Sequence, residues 1–158
     1  MLNITKEKLL KASIAGVLST ITIGFLTLLT YKTTMGLFLT ASFGASMVLL
    51  YGFPESPFAQ PKNIFFGHLL TSLIGILFVN YIHLPIFINI ALAVGIGIFF
   101  MIALDVVHPP AGGNPIMVII GGVSYEYLIS PIIFGCLIIL LFGIILNKFI
   151  LKKIYPLK

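Results

Sequence analysis

The chain has 158 residues, of which 8% are charged and 59% hydrophobic, with a mean hydropathy of +1.20. Soluble globular proteins carry roughly 25% charged residues, whereas here no charge occurs in 12–31, 33–54, 63–104, 106–125 or 127–147. A spanning helix needs about 20 apolar residues, so these runs exclude a water-soluble domain and point to a polytopic membrane protein. The net charge of +5 comes from nine Lys with no Arg. Lys6, Lys8, Lys11, Lys148, Lys152, Lys153 and Lys158 lie at the two ends, which is the topological bias of cytoplasmic segments rather than a nucleic-acid footprint. Both termini are therefore expected in the cytoplasm, with the bundle in the cell (inner) membrane and lipid as its surroundings. The single Cys136 lies inside an apolar run and excludes a disulfide framework. The first apolar run is too long for a signal-peptide core and no small-residue cleavage site follows it, so it reads as a retained span.

In chain order, the first span covers Ala12 to Thr30 and a second segment Thr33 to Phe53. A third span runs from Ile64 to Ile82, the turn His83-Leu84-Pro85 follows, and a fourth runs from Ile86 to Leu104. A fifth segment lies between Asp105 and Tyr125, and the last span covers Leu128 to Asn147. All six Tyr fall at or near these ends, where amphipathic rings settle in a bilayer.

Two segments are interrupted. His108-Pro109-Pro110-Ala111-Gly112-Gly113-Asn114-Pro115 cannot be regular helix, because paired Pro remove donors and clash with the preceding turn. Asn114 before Pro115 reads as an N-cap, leaving a half-helix from Pro115 to Val123. A softer break is expected at Ser42-Phe43-Gly44-Ala45-Ser46, with a half-helix from Ala45 to Phe53. Sliding the sequence by 70 positions lays Met47-Val48-Leu49-Leu50 over Met117-Val118-Ile119-Ile120, Ala41 over Ala111 and Pro61 over Pro131. The fold class expected is an all-α polytopic membrane helix bundle in one domain, 1–158. Its two broken half-helix segments belong to an inverted repeat of three-segment units, about 12–82 and 86–147. Six crossings and four spans with two re-entrant segments both satisfy the charge rule; six is favoured.

These residues carry a resemblance. His108-Pro109-Pro110-Ala111-Gly112, Phe43-Gly44-Ala45-Ser46-Met47-Val48-Leu49-Leu50, Ala59-Gln60-Pro61-Lys62-Asn63 and Gly67-His68-Leu69-Leu70 resemble the HPP family of integral membrane proteins, from about Gly36 to Gly122. Members are usually described with about four transmembrane helices and plastid and cyanobacterial members as nitrite transporters, while many bacterial members have no assigned substrate. The resemblance implies a membrane transport domain, with Pro109, Pro110, Gln60, Lys62, Asn63 and His68 as its motif residues. Two departures bear on the substrate: members often have Arg where this chain has Lys62, and Ala-rich sequence where it has Gly113-Asn114-Pro115.

Irregular backbone at membrane depth is tolerated where it is buried in protein or lines a wet cavity. If both half-helix N-termini meet near the midplane, each offers unpaired N–H groups and about half a positive charge to an anion. Gly44, Gly112 and Gly113 would let the backbone approach it, and Ser42, Ser46 and Asn114 would add donors. The function expected is passage of a small monovalent anion, nitrite first, against a neutral-solute pore or a purely structural membrane protein. His108 reads either as a proton carrier for the anion or as a cap holding the Pro-Pro turn. For His68 a core hydrogen bond outweighs a substrate contact, and His83 is an interface anchor. Lys62 snorkels or attracts anions. Asp105 and His108 at i, i+3, with only scattered His besides, do not make a metal site. No nucleophile or protease motif is present, so no enzyme activity and no cofactor are assigned. Small residues at spacings of four suit a homo-oligomer.

Overall fold

A computed structural model describes residues 4–34 and 36–157, and the described residues are all helical or irregular. The first helix, α1 (Lys6–Lys32), starts where the Thr5 hydroxyl accepts from the Lys8 N–H at 3.2 Å. Only Leu18, Thr22 and Leu26 of α1 are buried, one every fourth residue. That single stripe faces the bundle, and the remaining apolar surface is left for lipid. An irregular run, 36–40, then leads into α2 (Ala41–Met47), whose last turns, Val48–Gly52, are wound with π-type bonds. Next come α3 (Pro61–Tyr81), opened by Pro at its first position, and α4 (Ile86–Ala103). A 3₁₀ stretch over Pro109–Gly113 leads into α5 (Asn114–Gly121). A kinked turn over Leu128–Ile133 leads into α6 (Phe134–Phe149). Among the described residues, four helical stretches are long and apolar enough to cross a membrane: Lys6–Lys32, Pro61–Tyr81, Ile86–Ala103 and Leu128–Phe149.

The two interrupted segments run the full length of the bundle. The first starts where the Phe38 N–H meets the Thr30 hydroxyl near the end of α1, 3.0 Å away, and finishes with Phe53 5.0 Å beneath the Lys11 ammonium near its beginning. The second starts beside the Lys62–Asp105 ion pair (3.2 Å) at the foot of α3 and finishes at Tyr125, whose hydroxyl lies 3.5 Å from that of Tyr81 at its top. A re-entrant segment would return to the end it left; neither does. The bundle thus has a lysine end, with both described termini, and an opposite end carrying Lys32, His83 and Glu126. The six-segment arrangement is the one adopted.

The break in the first segment is not where composition put it. Ser42-Phe43-Gly44-Ala45-Ser46 lies within regular helix, and the irregular backbone is 36–40, with Gly36 at φ +110° and Thr40 extended. The half-helix therefore spans Ala41–Gly52 rather than Ala45–Phe53. A mid-helix Gly is unfavourable by about 1 kcal/mol against Ala, and packing outweighs it here: the buried Phe43 ring fills a notch at Gly135 of α6. The second half-helix ends at Gly121 instead of Val123. Gly122 at φ +55° lets its own N–H and that of Val123 reach back to Ile119 and Val118, a Schellman closure.

Glycines on α3 and α6 make room for the interrupted segments. A Cβ on Gly67 would stand 2.8 Å from the His108 Cβ, and one on Gly75 2.9 Å from the Val118 Cβ. On α6, a Cβ on Gly135 would meet Phe43 at 2.5 Å and one on Gly143 would meet Leu50 at 2.8 Å. The pattern is reciprocal: α3, of the first half, holds the second half's interrupted segment, and α6 holds the first half's. On α4, Asn89, Ala93, Gly97 and Met101 form the buried stripe.

Candidate functional site

Where α2, α3 and the His108 turn meet, four polar side chains are buried without a formal charge. Ser46, His68, His108 and Asn114 each have no exposed surface. The Ser46 hydroxyl lies 3.0 Å from His68 Nε2 and 2.8 Å from His108 Nε2. His108 Nδ1 is 2.7 Å from the Phe58 carbonyl, and His68 Nδ1 is 3.0 Å from the Asn114 side-chain nitrogen. That nitrogen also lies 3.2 Å from the His68 carbonyl and 2.9 Å from the Ser72 hydroxyl, so its two hydrogens are shared among three acceptors.

The partners fix the tautomers. A carbonyl only accepts, so His108 carries its proton on Nδ1 and presents a bare Nε2. An amide nitrogen only donates, so His68 accepts at Nδ1 and carries its proton on Nε2. The bonds therefore point one way: Asn114 to His68, His68 to Ser46, Ser46 to His108, and His108 to the Phe58 carbonyl. The two rings lie 4.9 Å apart, and the Phe43 ring meets His68 edge-on at 5.1 Å. Gly67 brings the His108 backbone against α3, and without that approach the chain would not close.

The other expected site residues divide. Ser42 is one turn from Ser46, buried, with its hydroxyl unpartnered. Gly44 faces outward and lines an apolar groove of about 560 Å³ with Ile23, Leu39, Met117 and Tyr127. Gly112 lines a different groove, of about 260 Å³, with Ile98 and Met101; Gly113 is half-buried. These glycines do not converge. Nor do the half-helix N-termini: Thr40, before α2, takes a 2.8 Å bond from Tyr127, whereas α5 begins against His68 and Ser72. Asn114 is not an N-cap. It follows Gly113, which holds the N-cap position, and its amide turns inward to α3, where His68 and Ser72 offer buried acceptors.

His108 neither caps local carbonyls nor stands at an open face; its bonds run to Ser46 and Phe58. Lys62 is held by Asp105, 3.2 Å away. Gln60 donates to the carbonyls of Pro54 and Ser56 and accepts from the Leu157 N–H, pinning the loop that supplies Phe58. Asn63 donates to the Val107 carbonyl at 2.8 Å, beside His108. Pro109 and Pro110 open the 3₁₀ stretch and keep it from continuing α4. Sequence reasoning missed Ser72 and Phe58. Ser72 was findable one helical turn after His68; a main-chain carbonyl leaves no trace in residue type.

A family model described as "HPP, transmembrane region" matches residues 4–156. The chain belongs to the HPP family. Its HPP triplet, Pro109 and Pro110 after His108, thus places the second imidazole of the buried chain. Two proteins of Dictyostelium discoideum, each described as a transmembrane protein, are similar: one is 34% identical over 126 residues, covering 75% of this chain and 44% of that protein. The other is 34% identical over 141 residues, covering 83% and 45%. This HPP chain spans less than half the length of the curated relatives it matches. No solved structure matches it.

Proposed function

We propose that the protein moves a small monovalent anion across the membrane, with nitrite the first candidate. The observation that carries this reading is a buried, charge-free polar chain that ties two interrupted segments to α3 at membrane depth. Polar side chains within spans are expensive and mark substrate or proton routes when they face the bundle interior. The unpartnered Ser42 hydroxyl adds a free donor one turn from Ser46. Neutral donors hold a monovalent anion loosely enough for release, and dehydration of a multivalent one would leave its charge uncompensated. In this reading the lysine end faces the cytoplasm. The outward small residues Ala41, Gly44 and Ala45 of α2 suit packing against a second copy.

Flux of nitrite, nitrate, chloride and formate into liposomes holding the purified chain tests the reading. Nitrite uptake above protein-free liposomes is the expected result. Flux of a neutral solute alone would favour a neutral pore, and no flux at all a structural role; either would overturn anion transport.

A further inference from the structure

The buried chain has a second hydrogen-bonding state that requires no heavy atom to move. In the neutral arrangement the Ser46 hydroxyl donates to the bare Nε2 of His108. The same hydroxyl has another acceptor, the Ser42 carbonyl, at 3.2 Å. If its O–H turns there, Ser46 Oγ can accept from both rings, using its two lone pairs. His108 Nε2 is then free to hold a proton and donate it to Ser46, while Nδ1 still donates to the Phe58 carbonyl at 2.7 Å. One rotation of one hydroxyl thus accommodates one extra proton with every bond satisfied.

That proton brings a positive charge with no carboxylate to meet it. On α2 and its continuation the other titratable group is Tyr51, bonded to Thr22; on α3 they are Lys62, paired with Asp105, and Tyr81 at the far end, beside Tyr125. The loop before α3 brings Glu55, paired with Lys153, and the C-terminal tail brings Tyr155, bonded to the Ala59 carbonyl. From α6, packed on Phe43, comes the buried Cys136 thiol. Among the described residues no carboxylate bonds either imidazole. A lone buried cation is strongly unfavourable at this depth, and so is a lone anion. Each supplies what the other lacks.

We propose that the His68–Ser46–His108 chain takes up one proton with each anion, so that the protein carries the two together as a neutral pair. The inference rests on the anion-transport reading and specifies its coupling. The bookkeeping closes: the Nε2 lone pair of His108 forms an N–H bond to a proton from one side. The anion enters as its counter-charge. On release the N–H bond breaks, the pair of electrons stays on nitrogen, and anion and proton leave on the other side. No redox partner is needed and no net charge crosses.

The full chain in liposomes, with nitrite as the probe, tests this by following lumenal pH and current, with protein-free liposomes subtracting the leak of nitrous acid. Expected are one proton acidifying the lumen per nitrite taken up and a rate unchanged by an imposed membrane potential. Nitrite affinity should tighten by about tenfold per pH unit lowered above the imidazole titration, the slope of one linked proton. Ser46→Ala should lower coupled uptake by roughly tenfold or more, whereas Ser46→Thr, which keeps the hydroxyl, should retain it. Nitrite uptake driven by an inside-positive potential without acidification would overturn the coupling and leave anion transport standing. A pH-independent affinity would overturn it too, even if Ser46→Ala failed to fold. Absence of flux for every anion would remove the underlying reading and the coupling with it.

Discussion

The alignment of His68, Ser46 and His108 depends on one hydrogen atom in place of a methyl group. At Gly67 an added Cβ would come within 2.8 Å of the His108 Cβ and 3.1 Å of the Val106 carbonyl, and backbone cannot yield cheaply there. Gly67→Ala is expected to destabilise the protein by about 1–3 kcal/mol, the usual range for overpacking, and to lengthen the His108–Ser46 bond. Thermal unfolding in detergent measures the first effect. Gly113→Ala is the control: nothing stands within 4 Å of its Cβ, so unfolding should be unchanged within about 0.5 kcal/mol. Part of this chemistry was legible in the sequence. Ser46 and Asn114 were marked as donors near the midplane and His68 as a core polar group. His108, by contrast, was read as the start of the broken stretch near the membrane face and is in fact fully buried. Their joining into one directed chain was not legible, because it depends on Gly67 admitting the His108 turn and on a carbonyl from Phe58. The same limit explains Asn114, whose sequence neighbour Pro115 suggested a cap while buried acceptors on α3 drew its side chain inward.

The interrupted segments hold their course because a neighbouring helix is notched to receive them. Gly135→Ala would drive a Cβ to 2.5 Å from the Phe43 ring and 2.8 Å from the Phe38 carbonyl. Because Phe43 also meets the edge of His68, the loss should appear in unfolding, by about 1–3 kcal/mol, and in anion flux together. Phe43→Leu in the Gly135→Ala background should recover part of the stability, since the smaller side chain frees the notch. Without such recovery, unfolding measurements would place the strain at the Phe38 carbonyl instead. The boundary at Pro85 was legible, with α4 starting at Ile86 as expected. By contrast, α1 and α3 start earlier than the expected Ala12 and Ile64, at Lys6 and Pro61, because the helices continue beyond their apolar stretch through polar first turns. The chain was misread at 42–46, where small polar residues suggested a break. Local propensity favours one there, but Phe43 in its notch rewards helix, and the irregular backbone moved upstream to Gly36–Thr40.

At the scale of the whole molecule, the lysine end is tied across the chain by Lys153 and Glu55, 3.1 Å apart. The Glu55 carboxyl is held below the ordinary carboxylate range, first by its own backbone N–H and then by Lys153. A depressed folded-state value means that the pairing stabilises above the unfolded carboxylate range and is lost as pH falls through the folded value. Lys153→Gln should therefore lower the unfolding temperature slightly near pH 7 and have no effect in acid; the size is that of an exposed pair, about 0–1 kcal/mol. Charge placement made the grouping of the two lysine-rich ends readable. It could not choose between crossing and re-entrant segments, since both leave the termini together, and contacts such as Lys11 with Phe53 and Tyr81 with Tyr125 decided it. The reciprocal notches also set an order of assembly. The groove that receives α2 lies on α6, which is synthesised after every other helix it packs with, so the first interrupted segment must wait, incomplete, until α6 has been made. A chain cut short after α5 would insert its early spans yet leave Phe43 and Leu50 without their seats, and quality-control proteases would meet it in that state.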